Sequence, residues 1–267
     1  MSKMGEYQQI LLDMLKEITS LCDRMRIPYY LAEGTCLGAI RHNGFIPWDD
    51  DVDIVIPDNY AEFLYSCQKY LSPRYKIMGG LFKDENLRII DTSVRIKRPD
   101  NIVDKKDKLT HPWIDIIMLY GLPDNRILKR IHYFRLFFYQ KLFKLSDREH
   151  IYKRKRGKFA ALVVYFSGLI HTEKLINGYS QLKRLKNIGA KYLFENSNYV
   201  VAFHTWYGVK EIMPKEVYGD GVMVPFETIK ARVPQKFDEY LTQLYGDYKQ
   251  LPPESERVGK HQITIVE

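Results

Sequence analysis

Four acids fall within five positions, at Asp49, Asp50, Asp51 and Asp53, and they lead straight into the apolar residues Val52, Ile54, Val55 and Ile56. Apolar, β-branched residues bounded by Pro47 and Pro57 predict a short buried strand. Side chains alternate across a strand, so Asp51 and Asp53 are expected side by side on one face. Two adjacent carboxylates repel each other unless a cation sits between them, and the hard ions Mg²⁺ and Mn²⁺ prefer oxygen ligands. A solvated turn is the ordinary fate of an acidic run. Acids at alternate positions of an apolar strand argue instead for a metal site.

Upstream, Gly34-Thr35 follows the apolar Tyr30-Leu31-Ala32 and precedes a short helix predicted from Leu37 to Arg41. A glycine and a hydroxyl at a strand-to-helix turn suit phosphate oxygens, because the backbone N–H groups there are unpaired and the helix dipole favours anions. Together with the acid-bearing strand, the pair resembles the signature of the nucleotidyltransferase fold, in which a third acid from a neighbouring strand completes the metal cage. The longer run GTCLGAIRHNGFIPWDDDVDI resembles the defining motif of the LicD family, itself similar to the fukutin-related transferases. That resemblance implies transfer of a phospho-alcohol, typically phosphocholine, from a CDP-linked donor to a sugar.

At 267 residues the chain is long enough to bury a core of mixed α and β structure. Cys22, Cys36 and Cys67 are an odd set without C-x-x-C spacing, which disfavours a disulfide framework or a zinc knuckle and fits a reducing cytoplasm. The N-terminus lacks the apolar centre of a signal peptide. The longest apolar run, Phe159 to Ile170, is 12 residues and too short to span a bilayer. A soluble chain without an anchor is expected. The net charge of +8 is unevenly placed: Arg126 to Lys158 holds twelve Lys or Arg against two acids, a local net of +10. Such a block suits solvent, nucleic acid, anionic lipid or an anionic substrate.

Leu11, Met14, Leu15, Ile18, Leu21, Cys22 and Met25 recur at three- and four-residue steps, predicting an amphipathic helix over 6–26. Tyr29 to Glu33 is the first predicted strand. Asn59, with Glu62 three residues on, resembles a capping box opening a helix to about Tyr70. The stretch Arg88 to Lys97 alternates as one strand or a tight pair, placing Arg95 and Lys97 on one face where they could hold a diphosphate. Trp113 to Met118 is a further apolar strand carrying the lone acid Asp115, which is costly to bury unless a partner or a metal compensates it. In the family this acid resembles the I-D-I element, although Ile117-Met118 replaces the Phe-Pro that commonly follows. Gly121-Leu122-Pro123-Asp124 resumes the pattern. Asp91 and Asp104 are reserve candidates for the third acid.

Between 127 and 145, Ile127, Ile131, Phe134, Phe138, Leu142 and Leu145 share one helical face, widened by Tyr133, Phe137 and Phe143, with Lys129, Arg130, Arg135, Lys141 and Lys144 as cations. This reads either as a core helix with a basic back or as an interfacial helix on anionic lipid. Near the C-terminus, Phe226-Glu227, Val233-Pro234 and FDEYLTQLYGDYKQLPP resemble the family's closing element, a short helix opened near Pro234 and closed by Gly246. His204, Trp206 and His261 are weaker candidates for a pocket lining.

The expected fold is α+β: a nucleotidyltransferase-like mixed β-sheet flanked by helices, with a largely helical insertion. Residues 1–125 form the catalytic core, 126–200 the basic, aromatic insertion, and 201–267 a part packing back on the core. The resemblance implies that Asp51, Asp53 and Asp115 hold one or two Mg²⁺ (or Mn²⁺) ions, with Asp49 and Asp50 behind them. Gly34 and Thr35 would cradle phosphate, Arg41, Arg95 and Lys97 would supply countercharge, and Trp48 would brace the acidic loop or stack on a base. The expected donor is CDP-choline, with CDP-glycerol or CDP-ribitol as rivals. The expected acceptor is a cell-surface glycan or lipid-linked saccharide, such as a teichoic-acid or lipopolysaccharide precursor. The site is expected in the cytoplasm, with peripheral contact at the inner membrane face. Rival classes are a nucleic-acid enzyme or binding module and a scaffold that kept only the fold. The first lacks any RNP, KH or OB signature, so no nucleic acid partner is expected. The intact acids oppose the second.

Overall fold

The computed structural model describes residues 5–79, 87–98, 108–146, 158–202, 207–259 and 263–266. Helix α1 (Glu6–Met25) buries Leu11, Met14, Leu15, Ile18, Leu21 and Cys22, the predicted row. It ends where Arg26 takes a left-handed conformation, φ 54°, and its carbonyls at Asp23 and Cys22 accept from the Arg26 and Ile27 N–H groups. Strand β1 (Tyr30–Leu31) leads into α2 (Glu33–His42). That helix starts four residues before the predicted Leu37, so Gly34 and Thr35 lie in its first turn. Strand β2 (Asp53–Pro57) begins at Asp53, leaving Asp51 and Val52 just ahead of it. Helix α3 (Ala61–Ser66) lies between two 3₁₀ turns, Asp58–Tyr60 and Cys67–Tyr70. The capping box does not form: the Asn59 amide donates instead to Glu195 Oε1 at 2.6 Å.

The predicted strand or pair over 88–97 divides between two sheets. Strands β3 (Tyr75–Gly79) and β4 (Leu87–Asp91) belong to the main sheet, whereas β5 (Ile96–Arg98) pairs with β6 (Lys108–Thr110). Strand β7 (Trp113–Leu122) is the spine of the main sheet. The basic segment then forms α4 (Arg126–Ser146), α5 (Lys158–Leu169), α6 (Thr172–Leu175) and α7 (Gly178–Gly189). Asn125 opens α4 by accepting from the N–H groups of Ile127 and Leu128. The chain returns to the sheet as β8 (Tyr199–Ala202) and β9 (Ile212–Pro214), then forms the hairpin β10 (Val222–Phe226) and β11 (Ile229–Val233). Helix α8 (Phe237–Tyr245) closes at Gly246, φ 74°, and β12 (Thr264–Ile265) adds to β5.

The main sheet runs β1-β2-β7-β4-β3, with β8 and β9 continuing from the second half of β7. One edge of β7 takes β2 in parallel. The other is shared, Trp113 to Ile116 pairing with β4 and Leu119 to Leu122 with β8, both antiparallel. Ile54, Val55, Ile56, Ile114, Ile116 and Ile117 are all fully buried, so both faces of the β2–β7 pair are covered. Helix α1 packs across β4 and β7, and α2 against β1 and β2. The fold is a mixed sheet flanked by helices, as the sequence led us to expect, with the acid-bearing strand starts at one end of its buried centre.

Candidate active site

Asp53 and Asp115 stand directly opposite each other across the parallel β2–β7 pair. Neighbouring strands lie about 4.8 Å apart, so these two carboxylates share a face at close quarters. The backbone around them is fixed from both sides. Asp115 N–H donates to the Val52 carbonyl at 3.0 Å, Ala32 N–H to the Asp53 carbonyl at 3.0 Å, and Asp53 N–H to Thr35 Oγ1 at 2.9 Å. Asp51 lies two residues before Asp53, half-buried.

Arg88, which the sequence reading passed over, is also part of the site. It pairs in register with Asp115 from β4, and its Nε donates to Asp115 Oδ1 at 2.6 Å. Trp113 Nε1 donates to Oδ2 of the same carboxylate at 3.0 Å, and the guanidinium lies 6.0 Å from the Trp113 ring centroid. The signal was present in the alternation of Arg88 with Ile89 and Ile90. Only the register of β4 on β7 reveals what the arginine meets.

The donor set suits a hard divalent ion: three carboxylates come to one end of the sheet, two of them in register. The side chains stop short of a formed cage, since no group of three acid, histidine or cysteine side chains converges on a common point among the described residues. Arg88 explains why. A guanidinium at 2.6 Å already neutralises Asp115 and holds its carboxylate in place. The backbone placement therefore fits a metal, with Arg88 occupying the position that a cation would contest.

The remaining sequence candidates take several positions. The acidic loop comes close to Gly34: a Cβ there would sit 2.9 Å from Asp49 Oδ2, the movable end of a side chain. Thr35 is buried with its hydroxyl oxygen on the Asp53 N–H, so it positions the acid-bearing strand. Arg41 Nη1 donates to the carbonyls of Tyr248 and Gln250, at 2.9 and 3.1 Å, and ties down the segment after α8. Trp48 meets the His42 ring edge-on at 6.3 Å and lies under the Arg257 guanidinium at 5.7 Å, a bracing role for the acidic loop. Arg95, just before β5, and Lys97, on β5, are exposed on the separate three-stranded sheet, of which β5 is the central strand. Asp91 lies three residues beyond Arg88 on β4, so its side chain points to the opposite face. There it accepts from Ser93 N–H and Oγ at 3.0 and 2.6 Å. Asp104, His204, Trp206 and His261 lie outside the described residues.

Behind Asp53 is a second acidic feature that periodicity could not show. Glu33, the first residue of α2, and Glu211, in a 3₁₀ turn before β9, are both buried. Neither Glu211 oxygen has a hydrogen-bond partner among the described residues. Burial, and then the neighbouring Glu33, push its carboxyl well above the usual range. Tyrosines surround the pair. Tyr240 Oη accepts from the Glu33 N–H at 3.0 Å, and Tyr218 meets Tyr240 edge-on at 5.8 Å. Tyr207 Oη donates to Tyr245 Oη at 3.0 Å, their rings 5.2 Å apart. Burial, then Tyr207, drives the Tyr245 hydroxyl far above its ordinary value, with smaller contributions from Glu33 and Asp53. The tyrosine cluster thus reaches from the buried acid pair to the acid-bearing strand.

Comparison with known proteins covers this architecture. Residues 26–148 match the LicD/FKTN/FKRP nucleotidyltransferase domain, a span that holds α2, β2, β4 and β7. The lipopolysaccharide cholinephosphotransferase LicD of Haemophilus influenzae is 27% identical over 269 residues, covering 96% of this chain and 95% of that protein. An uncharacterized protein of Rickettsia prowazekii is 28% identical over 60% of this chain and 51% of its own length, and one of Rickettsia typhi is 32% identical over 30% and 25%.

Proposed function

We propose, on the premise that residues 26–148 are a LicD-type domain, that the chain moves phosphocholine from CDP-choline to a sugar hydroxyl of a lipopolysaccharide or related cell-surface glycan. The observation that carries the reading is the register of Asp53 on Asp115, beside the paired Arg88. In the transfer, the acceptor oxygen forms a bond to the choline-bearing phosphorus while that phosphorus loses its bond to the bridging oxygen, and CMP leaves. Such displacements need positioning and charge neutralisation more than covalent help.

Asp51, Asp53 and Asp115 would hold Mg²⁺ or Mn²⁺. A divalent ion there supplies countercharge to the diphosphate and acidifies the attacking hydroxyl. Arg88, once drawn off Asp115, has the diphosphate oxygens as its next partner, a bidentate match of guanidinium to phosphate. This gives Arg88 the role first assigned to Arg95 and Lys97. Thr35 holds the acid-bearing strand against α2, and Trp48 with Arg257 holds the loop that precedes it.

Choline is preferred over glycerol or ribitol because the relative similar over nearly the whole chain is named a cholinephosphotransferase. The direct test is CMP release from CDP-choline, CDP-glycerol and CDP-ribitol, each with and without EDTA. We expect EDTA-sensitive release that is fastest from CDP-choline. Release from none of the three would overturn the reading, and preference for a polyol donor would overturn the choice of choline.

A further inference from the structure

We propose that the α4–α5 segment is a membrane-docking surface that seats the protein on a bilayer carrying anionic headgroups. The inference goes beyond the transfer reaction and rests on what these two helices leave uncovered.

Helix α4 buries one face and exposes the opposite one. His132, Leu136 and Gln140 turn inward, toward α7, where Leu182 and Leu185 are buried. The other face carries Ile127, Ile131, Phe134 and Phe138, exposed by 69, 52, 64 and 47%. A row of that length and size uncovered in water is costly, and large contiguous patches of this kind mark interaction sites. The stripe at 127–138 is therefore not a core face, one of the two readings open from sequence. Helix α5 repeats the anomaly in stronger form. Its sequence KFAALVVYFSGL is apolar all round, a pattern expected of a buried helix. Yet Leu162, Tyr165, Phe166 and Leu169 are 51–64% exposed, as is Ile170 just beyond it at 58%. Thr172 Oγ1 donates to the Leu145 carbonyl at 2.7 Å, which anchors the end of α5 beside the end of α4.

The charge identifies the occupant. At about 100° per residue, Arg130 and Lys141 fall on one flank of the α4 stripe and Arg135 on the other, all exposed. Basic residues on both sides of an apolar stripe can extend to lipid phosphates while the rings enter the acyl boundary. Residues 126–158 carry a net charge of +10, which opposes face-to-face contact with a second copy and favours an anionic surface. Spanning is ruled out for these helices: none among the described residues is long and apolar enough, and 12 residues of helix reach only about 18 Å against a hydrocarbon core of about 30 Å.

The test is co-sedimentation of the full chain with vesicles of phosphatidylglycerol and phosphatidylcholine, or of phosphatidylcholine alone, at low and high salt. We expect binding to the anionic vesicles that weakens with salt. Neutralising Arg130, Arg135 and Lys141 to Gln should lower it about a hundredfold. Phe134→Ser with Phe138→Ser should lower it at both salt concentrations. Both variants should keep wild-type circular dichroism and CMP release in solution, which separates failure of docking from failure of the transferase reading. Absence of binding to anionic vesicles at low salt would overturn the proposal. So would a dimer in vesicle-free sedimentation velocity that Phe134→Ser dissolves, since a second copy would then be what covers the face.

Discussion

Arg88 Nε lies 2.6 Å from Asp115 Oδ1, on the strand next to the one that sets Asp115 opposite Asp53. The arginine thus neutralises one of two carboxylates that would otherwise face each other across a single strand spacing. A divalent ion bound at Asp115 would have to compete with the guanidinium for the same oxygens.

Replacing Arg88 by Gln should destabilise the protein by about 1–3 kcal/mol without divalent metal, since it leaves a mostly buried carboxylate without its charge partner. Saturating Mn²⁺ should recover most of that loss. Thermal denaturation of wild type and variant, with and without Mn²⁺, measures it. An equal deficit in both conditions would show that Arg88 and metal do not share Asp115.

Asp53→Asn and Asp51→Asn should each cut transfer by roughly 10³, the several kcal/mol that a charged metal ligand contributes to phosphoryl chemistry. Circular dichroism should stay unchanged, because the strand backbone is held by Thr35 and Val52. Near wild-type transfer by either variant in excess Mg²⁺ would remove that residue from the site.

Asp115→Asn should behave like Asp53→Asn, and Asp91→Asn should not. Asp91 is buried on the other face of β4 in a local hydrogen-bond set with Ser93. Its loss should cost stability, about 1–3 kcal/mol, with transfer by the remaining folded protein intact. Reversed outcomes would move the third acid to Asp91.

Glu211→Leu should raise the melting temperature, because a buried carboxyl without a hydrogen-bond partner is unfavourable. Thermal denaturation of wild type and variant measures the change, and a lower melting temperature would show that the carboxyl has a compensating partner in the fold.

Stability should fall as pH drops from about 6.5 to about 4. Burial, then Arg135 and Lys191, lower the His132 imidazole to about 4, below its ordinary 6.5 in the unfolded chain. In that window the unfolded state binds the proton and the folded state does not, so lowering the pH favours unfolding, by at most about 3 kcal/mol. Denaturant unfolding of wild type and His132→Gln across this range should show the slope in the first and a flatter line in the second.

The sequence alone carried what depends on local pattern. The α1 row, the acid-bearing strand at Asp53, the lone Asp115 in an apolar strand and the helical basic segment all follow from periodicity and composition, which act within a few residues of each other. It also carried the resemblance to the LicD family, because the motif from Gly34 to Ile54 is long and dense in unusual residues. The tertiary structure alone decided which distant groups meet. That Asp53 faces Asp115, that Arg88 and not Arg95 or Lys97 reaches the acids, and that Thr35 spends its hydroxyl oxygen on the Asp53 backbone are all consequences of strand register, which one residue of slip would reverse. Glu33 and Glu211 come together only because β9 continues the main sheet and α8 packs on α2. The outward stripe of α4 has the same origin: helical periodicity marks the apolar stripe, and the docking of α7 on the opposite face leaves it bare.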